Sequence, residues 1–305
     1  MVISDLKTAC AAIAAQATNV TIELARIEPY AAQLPAPEPQ TAAVLLTGAE
    51  REREAAFWLT LDAINFGSGW FPTIRKRDQP TGYRTIAAGV RRRFESEGPW
   101  TPSELARVDT AELASTLDQD PEHELIGLFA LSLRDLGARL RDSYGTFAAL
   151  VDGAEGCAVS LVETLARWDC FADVSTYGVI TVPFLKRAQI AAADLSRAGV
   201  AAFGDLDELT LFADNLVPHV LRLDGVLRFA PELVARIETG ELIHHDSPEE
   251  IEIRACALHA VELIAAAGRA SGGPTAAQID QILWNRGQGP AYKAVPRHRS
   301  RSTAY

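Results

Sequence analysis

Aromatic, amide and carboxylate side chains lie close together in the segment FWLTLDAINFGSGWF, residues 57–71. Asp62 and Asn65 offer hydrogen-bond acceptors and a donor, while Phe66 and Trp70 offer flat apolar faces. This combination suits a pocket that recognises a planar heterocycle. The alternative interpretation is a core helix whose polar residues face solvent.

Two further segments place charged residues inside apolar helical patterns. In PFLKRAQIAAADL, residues 183–195, Lys186 and Arg187 open a predicted helix of small residues, and the alternative is a pair of bases that extend to solvent. In LTLFADNLVPHVLR, residues 209–222, Asp214 lies at a break between apolar turns. We expect Asp214 at a helix N-terminus, where the helix dipole favours a carboxylate, and the alternative is an ordinary N-cap.

The C-terminal string PRHRSRSTAY gathers basic residues at the end of an acidic chain. His298, Arg299 and Arg301 together offer the donors that a single phosphate group requires. The alternative interpretation is a disordered basic tail.

Common metal and nucleotide motifs are incomplete or missing. His123 begins like H-E-x-x-H, but Gly127 stands where the second histidine belongs. Cys256 and His259 share a helix face, but the sequence offers no further metal ligands beside them. His244, His245 and Asp246 are predicted to form a solvated loop. Neither G-x-G-x-x-G nor a Walker pattern occurs, so neither a zinc site at His123 nor nucleotide-cofactor binding through these motifs has support.

The elements that position these residues are mainly helices. Four helix starts combine a side-chain acceptor with a carboxylate three residues on: Thr101 with Glu104, Asp109 with Glu112, Asp205 with Glu208, and Ser247 with Glu250. A continuous apolar face recurs at Leu125, Phe129, Leu133, Leu136 and Leu140. An alanine-rich helix is predicted from residue 248 to a C-cap at Gly268. The strand signal at 177–185 is interrupted by Pro183, so we predict an all-α fold with at most a short β-hairpin.

A proline-rich linker, LPAPEPQ at 34–40, holds the backbone extended and forbids a helix. It predicts an N-terminal helical segment with its linker over 1–40 and a helical domain over 41–305.

Composition narrows the class of protein. The 305 residues are 48% hydrophobic and 23% charged, which is ordinary for a globular protein. The net charge of −11 disfavours binding to a nucleic-acid polymer. The four cysteines lack metal-site spacing and are expected to be reduced thiols. The first residues lack the basic stretch of a signal peptide, and no apolar run is long enough for a membrane span, so we expect a cytoplasmic protein.

Five strings in this sequence, taken together, resemble the queuosine salvage family, the queuosine 5′-phosphate N-glycosylase/hydrolases. They are LDAINFGSGWFP, the F-x-D…VPFLKRAQIAAADL stretch that begins at Phe171, LTLFADNLVPHVLRLDGVL, EEIEIRACALHAVELI and HRSRSTAY. The strings stand in family order and cover residues 57–305, whereas residues 1–40 carry no resemblance.

The resemblance implies a helical fold similar to helix-hairpin-helix DNA glycosylases. It also implies hydrolysis of the N-glycosidic bond of queuosine 5′-phosphate to free queuine, without a cofactor. In such glycosylases a lysine begins one helix and an aspartate caps a later one, and Lys186 and Asp214 match that pair.

The resemblance assigns roles to the candidate residues. Asp214 would stabilise the oxocarbenium character of the ribose and orient the attacking water, while Lys186 would hold the phosphate or favour the ionised form of Asp214. The expected substrate-binding residues are Asp62, Asn65, Phe66 and Trp70 for the base, Asp173 of the F-x-D string, and His298, Arg299 and Arg301 for the phosphate.

Two other functions stay open at this point. One is a DNA-base glycosylase of the same architecture, which the acidic balance disfavours. The other is a helical interaction module without catalysis. The expected partner is a small molecule rather than a nucleic-acid polymer or a membrane, and the sequence leaves the oligomeric state open.

Overall fold

The computed structural model of this chain describes residues 2–36, 44–77, 79 and 81–305. The helices in chain order are α1 (Val2–Ala14), α2 (Ile27–Ala31), α3 (Gly48–Ala63), α4 (Gly82–Ser96), α5 (Pro102–Leu105), α6 (Thr110–Leu117), α7 (Glu124–Ser143), α8 (Phe147–Asp152), α9 (Ala158–Leu165), α10 (Lys186–Arg197), α11 (Leu216–Leu223), α12 (Pro231–Glu238), α13 (Pro248–Gly268), α14 (Ala276–Gly287) and α15 (Pro290–Lys293). The prediction of a mainly helical protein is confirmed. None of the helices in the described part of the chain is long and apolar enough to cross a bilayer.

Four short strands form two antiparallel pairs: β1 (Val20–Ile22) with β4 (Leu227–Phe229), and β2 (Val174–Tyr177) with β3 (Ile180–Pro183). The hairpin β2–β3 overlaps the strand signal predicted at 177–185, which contains β3 but only the last residue of β2, and it pairs Tyr177 with Ile180 at its turn. The expectation of at most one hairpin was wrong, because β1 pairs with β4 as well. Strands of three residues that lie about 200 residues apart show neither alternation nor a connecting turn in the sequence.

Contacts divide the chain into two compact units. The first comprises Met1–Gln40, Asp173–Lys186 and Asp207–Arg301, and the second comprises Thr41–Ala172, Arg187–Leu206 and Ser302–Tyr305. The boundary predicted at residue 40 falls among residues 37–43, which lie outside the described residues, and the division into 1–40 and 41–305 stays a prediction. In the first unit α13 packs against α1, α2, α11 and α14. Its core is apolar and includes Cys10, Val217, Leu258 and Leu283.

The second unit is built around α7, which contacts α3, α5 and α6. The five apolar residues predicted to share one face of this helix are all buried, so this prediction is confirmed. Because α7 presents an unbroken apolar stripe to its neighbours, hydrophobic burial is sufficient to fix its orientation within the unit.

Three of the four predicted helix starts are confirmed by their caps. Thr101 and Glu104 form a reciprocal capping box, Asp109 accepts the amide of Glu112, and Ser247 accepts the amide of Glu250. The fourth was wrong. Asp205 accepts the amides of Ala158 and Val159 at the start of α9, at 2.6 and 3.1 Å, and only a short 3₁₀ turn, Leu206–Glu208, follows it. An aspartate caps whichever free amides the fold brings to it.

The long helix α13 has the predicted extent, but its C-terminus differs in detail. Gly268 is the last helical residue, with φ of −80°, rather than a left-handed cap. A 3₁₀ turn, Arg269–Ser271, continues the chain to Gly272, which has φ of +69°. The left-handed glycine therefore ends the 3₁₀ turn and not the α-helix.

Glu252 of α13 joins the N-terminal segment to the rest of the first unit. Its Oε2 accepts three consecutive amides, those of Thr18, Asn19 and Val20, at 3.0, 2.6 and 3.1 Å. Its Oε1 accepts the Asn19 amide nitrogen at 3.1 Å and the Tyr177 hydroxyl at 2.8 Å. Burial and this hydrogen bond raise the pKa of Tyr177 to about 12. One buried carboxylate thus fixes β1, the β2–β3 hairpin and α13 together.

Replacement of Glu252 by glutamine is expected to lower the free energy of unfolding by about 3 kcal/mol. The three backbone amides would lose a charged acceptor, and the new side-chain NH2 would face the NH2 of Asn19. Urea unfolding followed by circular dichroism measures the change. The matched control is Glu232→Gln on α12, where the side chain is exposed. An unfolding midpoint equal to that of the wild type would contradict the prediction.

Candidate active site

Asp214 lies immediately before α11, as predicted. Its Oδ1 accepts the amides of Leu216 at 2.7 Å and Val217 at 3.2 Å. Asn215 occupies the formal N-cap position but makes no side-chain cap bond, so the Asp214 carboxylate performs this task. The side chain is half-buried, and among the described residues Oδ2 accepts no hydrogen bond. A carboxylate fixed through one oxygen leaves the other available to act on a substrate.

Lys186 is the first residue of α10, which confirms the predicted helix start. The alternative of solvent-extended bases was wrong, because Lys186 is 6% exposed and Arg187 is 1% exposed. Leu185, the preceding residue, adopts a left-handed conformation with φ of +53°, which is unfavourable for a branched side chain. The Lys186 amide donates to Asp173 Oδ2 at 3.0 Å. A carboxylate from another segment therefore caps the helix that carries the lysine.

Arg254 of α13 connects these two places. Its Nη1 and Nη2 form a bidentate pair with Asp173 at 2.9 and 2.7 Å, and its Nε donates to the carbonyl of Ala213 at 3.0 Å. The guanidinium lies over the Phe184 ring, 3.9 Å from its centroid, and the side chains of Arg254 and Asp173 are 0% exposed. The sequence analysis missed Arg254. The signal was present, because Arg254 stands between Ile253 and Ala255 in an alanine-rich helix, and a charged side chain that is buried requires a partner.

Asp173 uses both of its carboxylate oxygens inside the unit, on Arg254 and on the Lys186 amide. This bonding gives the residue a supporting position beside the candidate catalytic lysine. A direct contact with substrate stays a prediction.

A loop at 244–246 extends the same charged network. Glu250 Oε1 lies 3.9 Å from Arg254 Nη1, and Glu250 Oε2 accepts the Asp246 amide at 3.1 Å. Asp246 Oδ1 accepts the Ser175 hydroxyl at 2.6 Å. Burial lowers the pKa of His245, but hydrogen bonding and attraction to Glu250 outweigh it and hold the pKa above its usual value. The prediction of a solvated loop is confirmed for His244 and Asp246, which are exposed, whereas His245 is half-buried and joins the charged network.

His245, Asp246 and Glu250 are the residues in the described part of the chain whose ligand atoms could surround a metal ion, since these atoms lie within 4.8 Å of one another. The Arg254 guanidinium competes for the Glu250 carboxylate, and the Ser175 hydroxyl already occupies one oxygen of Asp246. These bonds stabilise the group without a cation, and the absence of a cofactor stays a prediction.

The C-terminal basic cluster is packed rather than disordered. The Asn215 side chain donates to the carbonyl of His298 at 3.2 Å, and the Ile243 amide donates to the carbonyl of Arg299 at 2.9 Å. His298 is buried, which lowers its pKa to about 3, so the imidazole is neutral at pH 7. Arg301 is exposed, and Arg299 reaches the Gly240 carbonyl at 3.5 Å. Of the three residues predicted to bind phosphate, Arg299 and Arg301 therefore carry the positive charge, and contact with a phosphate stays a prediction.

In the second unit, Asp62 and Asn65 lie at the end of α3. Asp62 is fully buried, and the Asn65 side-chain nitrogen approaches its Oδ1 at 3.5 Å. Burial and the nearby carboxylates of Asp62 and Asp194 raise the pKa of Tyr83 well above its usual value. The amide and carboxylate stand side by side, as recognition of a heterocycle edge requires. Contact with a base stays a prediction.

Phe66 and Trp70 pack inside the second unit. Phe66 meets Phe129 edge to face with ring centroids 5.0 Å apart, and the Trp70 indole donates to Glu124 Oε2 at 2.7 Å. Both are buried, Trp70 at 4% exposure. These contacts pack both rings in the core, but the alternative of a core helix with solvent-facing polar residues is wrong for Asp62, which is buried. Stacking of Phe66 or Trp70 on a base stays a prediction.

Arg187 is a second buried arginine that sequence reasoning left without a role. It donates to the carbonyls of Ala63, Cys170 and Ala304, all inside the second unit. Its guanidinium carbon lies 5.0 Å from the Phe66 ring centroid. The amide of Gly67 donates to the carbonyl of Tyr305 at 3.1 Å, so Tyr305 is bound to the segment that follows α3.

Comparison with known proteins bears on these residues together. Residues 46–305 match the family described as queuosine salvage protein. The chain belongs to this family. The match includes every candidate residue above, and it confirms the resemblance carried by the five sequence strings.

Three relatives show the extent of the similarity. A queuosine 5′-phosphate N-glycosylase/hydrolase of Sphaerobacter thermophilus is 37% identical over 266 residues, which cover 84% of this chain and 82% of the relative. One of the same name from Nematostella vectensis is 30% identical over 289 residues, covering 84% of this chain and 83% of the relative. One from Bos taurus is 29% identical over 245 residues, covering 74% and 72%.

Proposed function

We propose that this chain hydrolyses the N-glycosidic bond of queuosine 5′-phosphate and releases queuine. The observation that carries the proposal is the Asp214 carboxylate, half-buried at the start of α11 and held through Oδ1, with no hydrogen bond to Oδ2 from the described residues. The extensive identity with relatives named for this activity supports it. The fold is inferred to be similar to helix-hairpin-helix glycosylases, in which an aspartate stands at a helix start.

The chemistry requires a negative charge beside the ribose. Rupture of the C–N bond develops oxocarbenium character at the anomeric carbon, and a fixed carboxylate stabilises that charge without reorganisation. Asp214 is proposed to do so and to orient the attacking water. Its two amide bonds at the start of α11 keep the carboxylate in one orientation.

Leaving-group assistance has to come from outside the five-membered ring of the base. A 7-deazaguanine lacks the ring nitrogen that other purines protonate on departure, so hydrogen bonds elsewhere on the base or a shaped pocket must stabilise it. We assign this task to Asp62, Asn65, Phe66 and Trp70. Lys186 is proposed to bind the phosphate or to favour the ionised form of Asp214.

Phosphate recognition is assigned to Arg299 and Arg301. Replacement of either by alanine is expected to raise KM for queuosine 5′-phosphate by about tenfold, the value of one charge-assisted bond, with little change for the nucleoside. Steady-state kinetics on both substrates measure the difference. Arg228→Ala, at an exposed arginine of β4, is the control for loss of a surface charge. An equal loss on both substrates would assign the arginines a structural role.

The function is tested by incubating the purified chain with queuosine 5′-phosphate and detecting free queuine by mass spectrometry. A parallel incubation with duplex DNA that contains damaged bases tests the glycosylase alternative. Release of queuine alone supports the proposal, and release of a DNA base alone would replace it. Absence of both would leave the non-catalytic interaction module.

A further inference from the structure

Three charged residues alternate along the start of α13, at Glu250, Glu252 and Arg254, and all three are 0% exposed. Glu252 binds the N-terminal segment, as described above. Arg254 faces the elements that carry the candidate catalytic residues. Charge at such depth is costly unless every group is paired, so these side chains have defined tasks in the fold.

The bonds of Arg254 end beside both candidate catalytic residues. The carbonyl that receives its Nε–H belongs to Ala213, the residue before Asp214. The carboxylate that receives its two Nη groups belongs to Asp173, which in turn accepts the amide of Lys186. The Arg254 guanidinium therefore fixes the backbone beside Asp214 through one hydrogen bond. It fixes the backbone of Lys186 through Asp173.

We propose that Arg254 is the positioning residue of the hydrolysis, holding the Asp214 and Lys186 backbones in register through Ala213 and Asp173. The inference rests on the proposed function of those two residues. Arg254 acts through their backbones and through the carboxylate of Asp173, and no substrate contact by Arg254 is involved.

Guanidinium geometry suits this role better than an ammonium group. A planar fork binds both oxygens of a carboxylate in parallel and still directs its Nε–H to a third acceptor. Stacking over the Phe184 ring at 3.9 Å fixes the plane of the fork. Lysine would keep the charge but could not hold all three acceptors in one plane.

Positioning explains the buried pair better than stability does. A buried ion pair commonly contributes little net stability relative to apolar residues of the same size. Misplacement of a reacting group by about 1 Å, in contrast, costs on the order of a hundredfold in rate. The main effect of a substitution that keeps the buried charge of Arg254 should therefore appear in kcat.

The first test is Arg254→Lys, assayed with queuosine 5′-phosphate. We expect kcat to fall by about a hundredfold and KM to change by less than about threefold, with the far-UV spectrum retained. The matched control is Arg286→Lys in the same unit, where Arg286 bridges Asp224 and Tyr30 at 2.8 Å each. The control should retain kcat.

Asp173→Asn provides a second route that leaves Arg254 in place. Positioning predicts a fall in kcat with KM nearly unchanged, whereas a direct substrate contact by Asp173 predicts a rise in KM. The double variant should lose no more activity than the single variant that has the larger loss, because both changes break the same connection.

The outcomes separate this inference from the function on which it rests. Wild-type kcat in Arg254→Lys or in Asp173→Asn, with Asp214→Asn inactive, would overturn the positioning role alone. A fall in kcat that matches the loss of folded protein would also overturn it. So would losses in kcat that are fully additive in the double variant. Full turnover in Asp214→Asn would instead overturn the proposed catalytic site.

Discussion

Replacement of Asp214 by asparagine is expected to lower kcat for queuosine 5′-phosphate by about a thousandfold, because it removes the anion that stabilises the oxocarbenium-like transition state. The asparagine Oδ1 still accepts the amides of Leu216 and Val217, so α11 should retain its cap. Binding of queuine should persist, since the lost interaction acts mainly in the transition state. Single-turnover kinetics and calorimetry measure the two quantities.

The matched control for this variant is Asp109→Asn. Asp109 caps α6 by accepting the Glu112 amide at 2.7 Å, the same capping chemistry without a proposed catalytic role. It should keep the wild-type kcat. Near-wild-type kcat in Asp214→Asn would mean that Asp214 is only a helix cap and that another carboxylate, such as Asp62 or Asp173, performs the chemistry.

Replacement of Lys186 by methionine, which keeps the buried aliphatic stem, is expected to lower kcat/KM by about a hundredfold through loss of a buried charge-assisted contact. The two proposed roles give different patterns. A phosphate contact places most of the loss in KM for the nucleotide, whereas an electrostatic effect on Asp214 places it in kcat for nucleotide and nucleoside alike.

Lys293→Met, at an exposed position of α15, is the control for removing a lysine from the first unit. It should leave both kinetic constants unchanged. Wild-type kinetics in Lys186→Met would remove the lysine from the mechanism and would leave its burial as a packing feature only.

Local patterns predicted much of this molecule. The capping box at Thr101 and the start of α10 at Lys186 follow from residues within one or two helical turns. The position of Asp214 before α11 was predictable for the same reason. Helices can be predicted from short segments, because a cap and an apolar stripe both involve residues that are close in sequence.

The connections that join distant segments were not predictable. Glu252 bonds to residues more than 230 positions away, and Arg254 pairs with Asp173 across 81 positions. A sequence shows that a buried charge requires a partner, but not which partner. The bond of Asp205 to the start of α9 was missed for the same reason. The local capping rule assigned Asp205 to a helix that follows it in sequence.

The carboxylate of Glu252 also sets an order of events during synthesis. Thr18, Asn19 and Val20 leave the ribosome first, but the acceptor of their amides lies 232 to 234 residues further along the chain. At about 5–20 residues per second, that interval is on the order of 10 to 50 s. During that time α1 has no α13 against which to bury its apolar side, whereas Thr41–Ala172 of the second unit is already continuous. The second unit can therefore begin folding early, whereas the first unit cannot bury the apolar side of α1 until α13 has been synthesised.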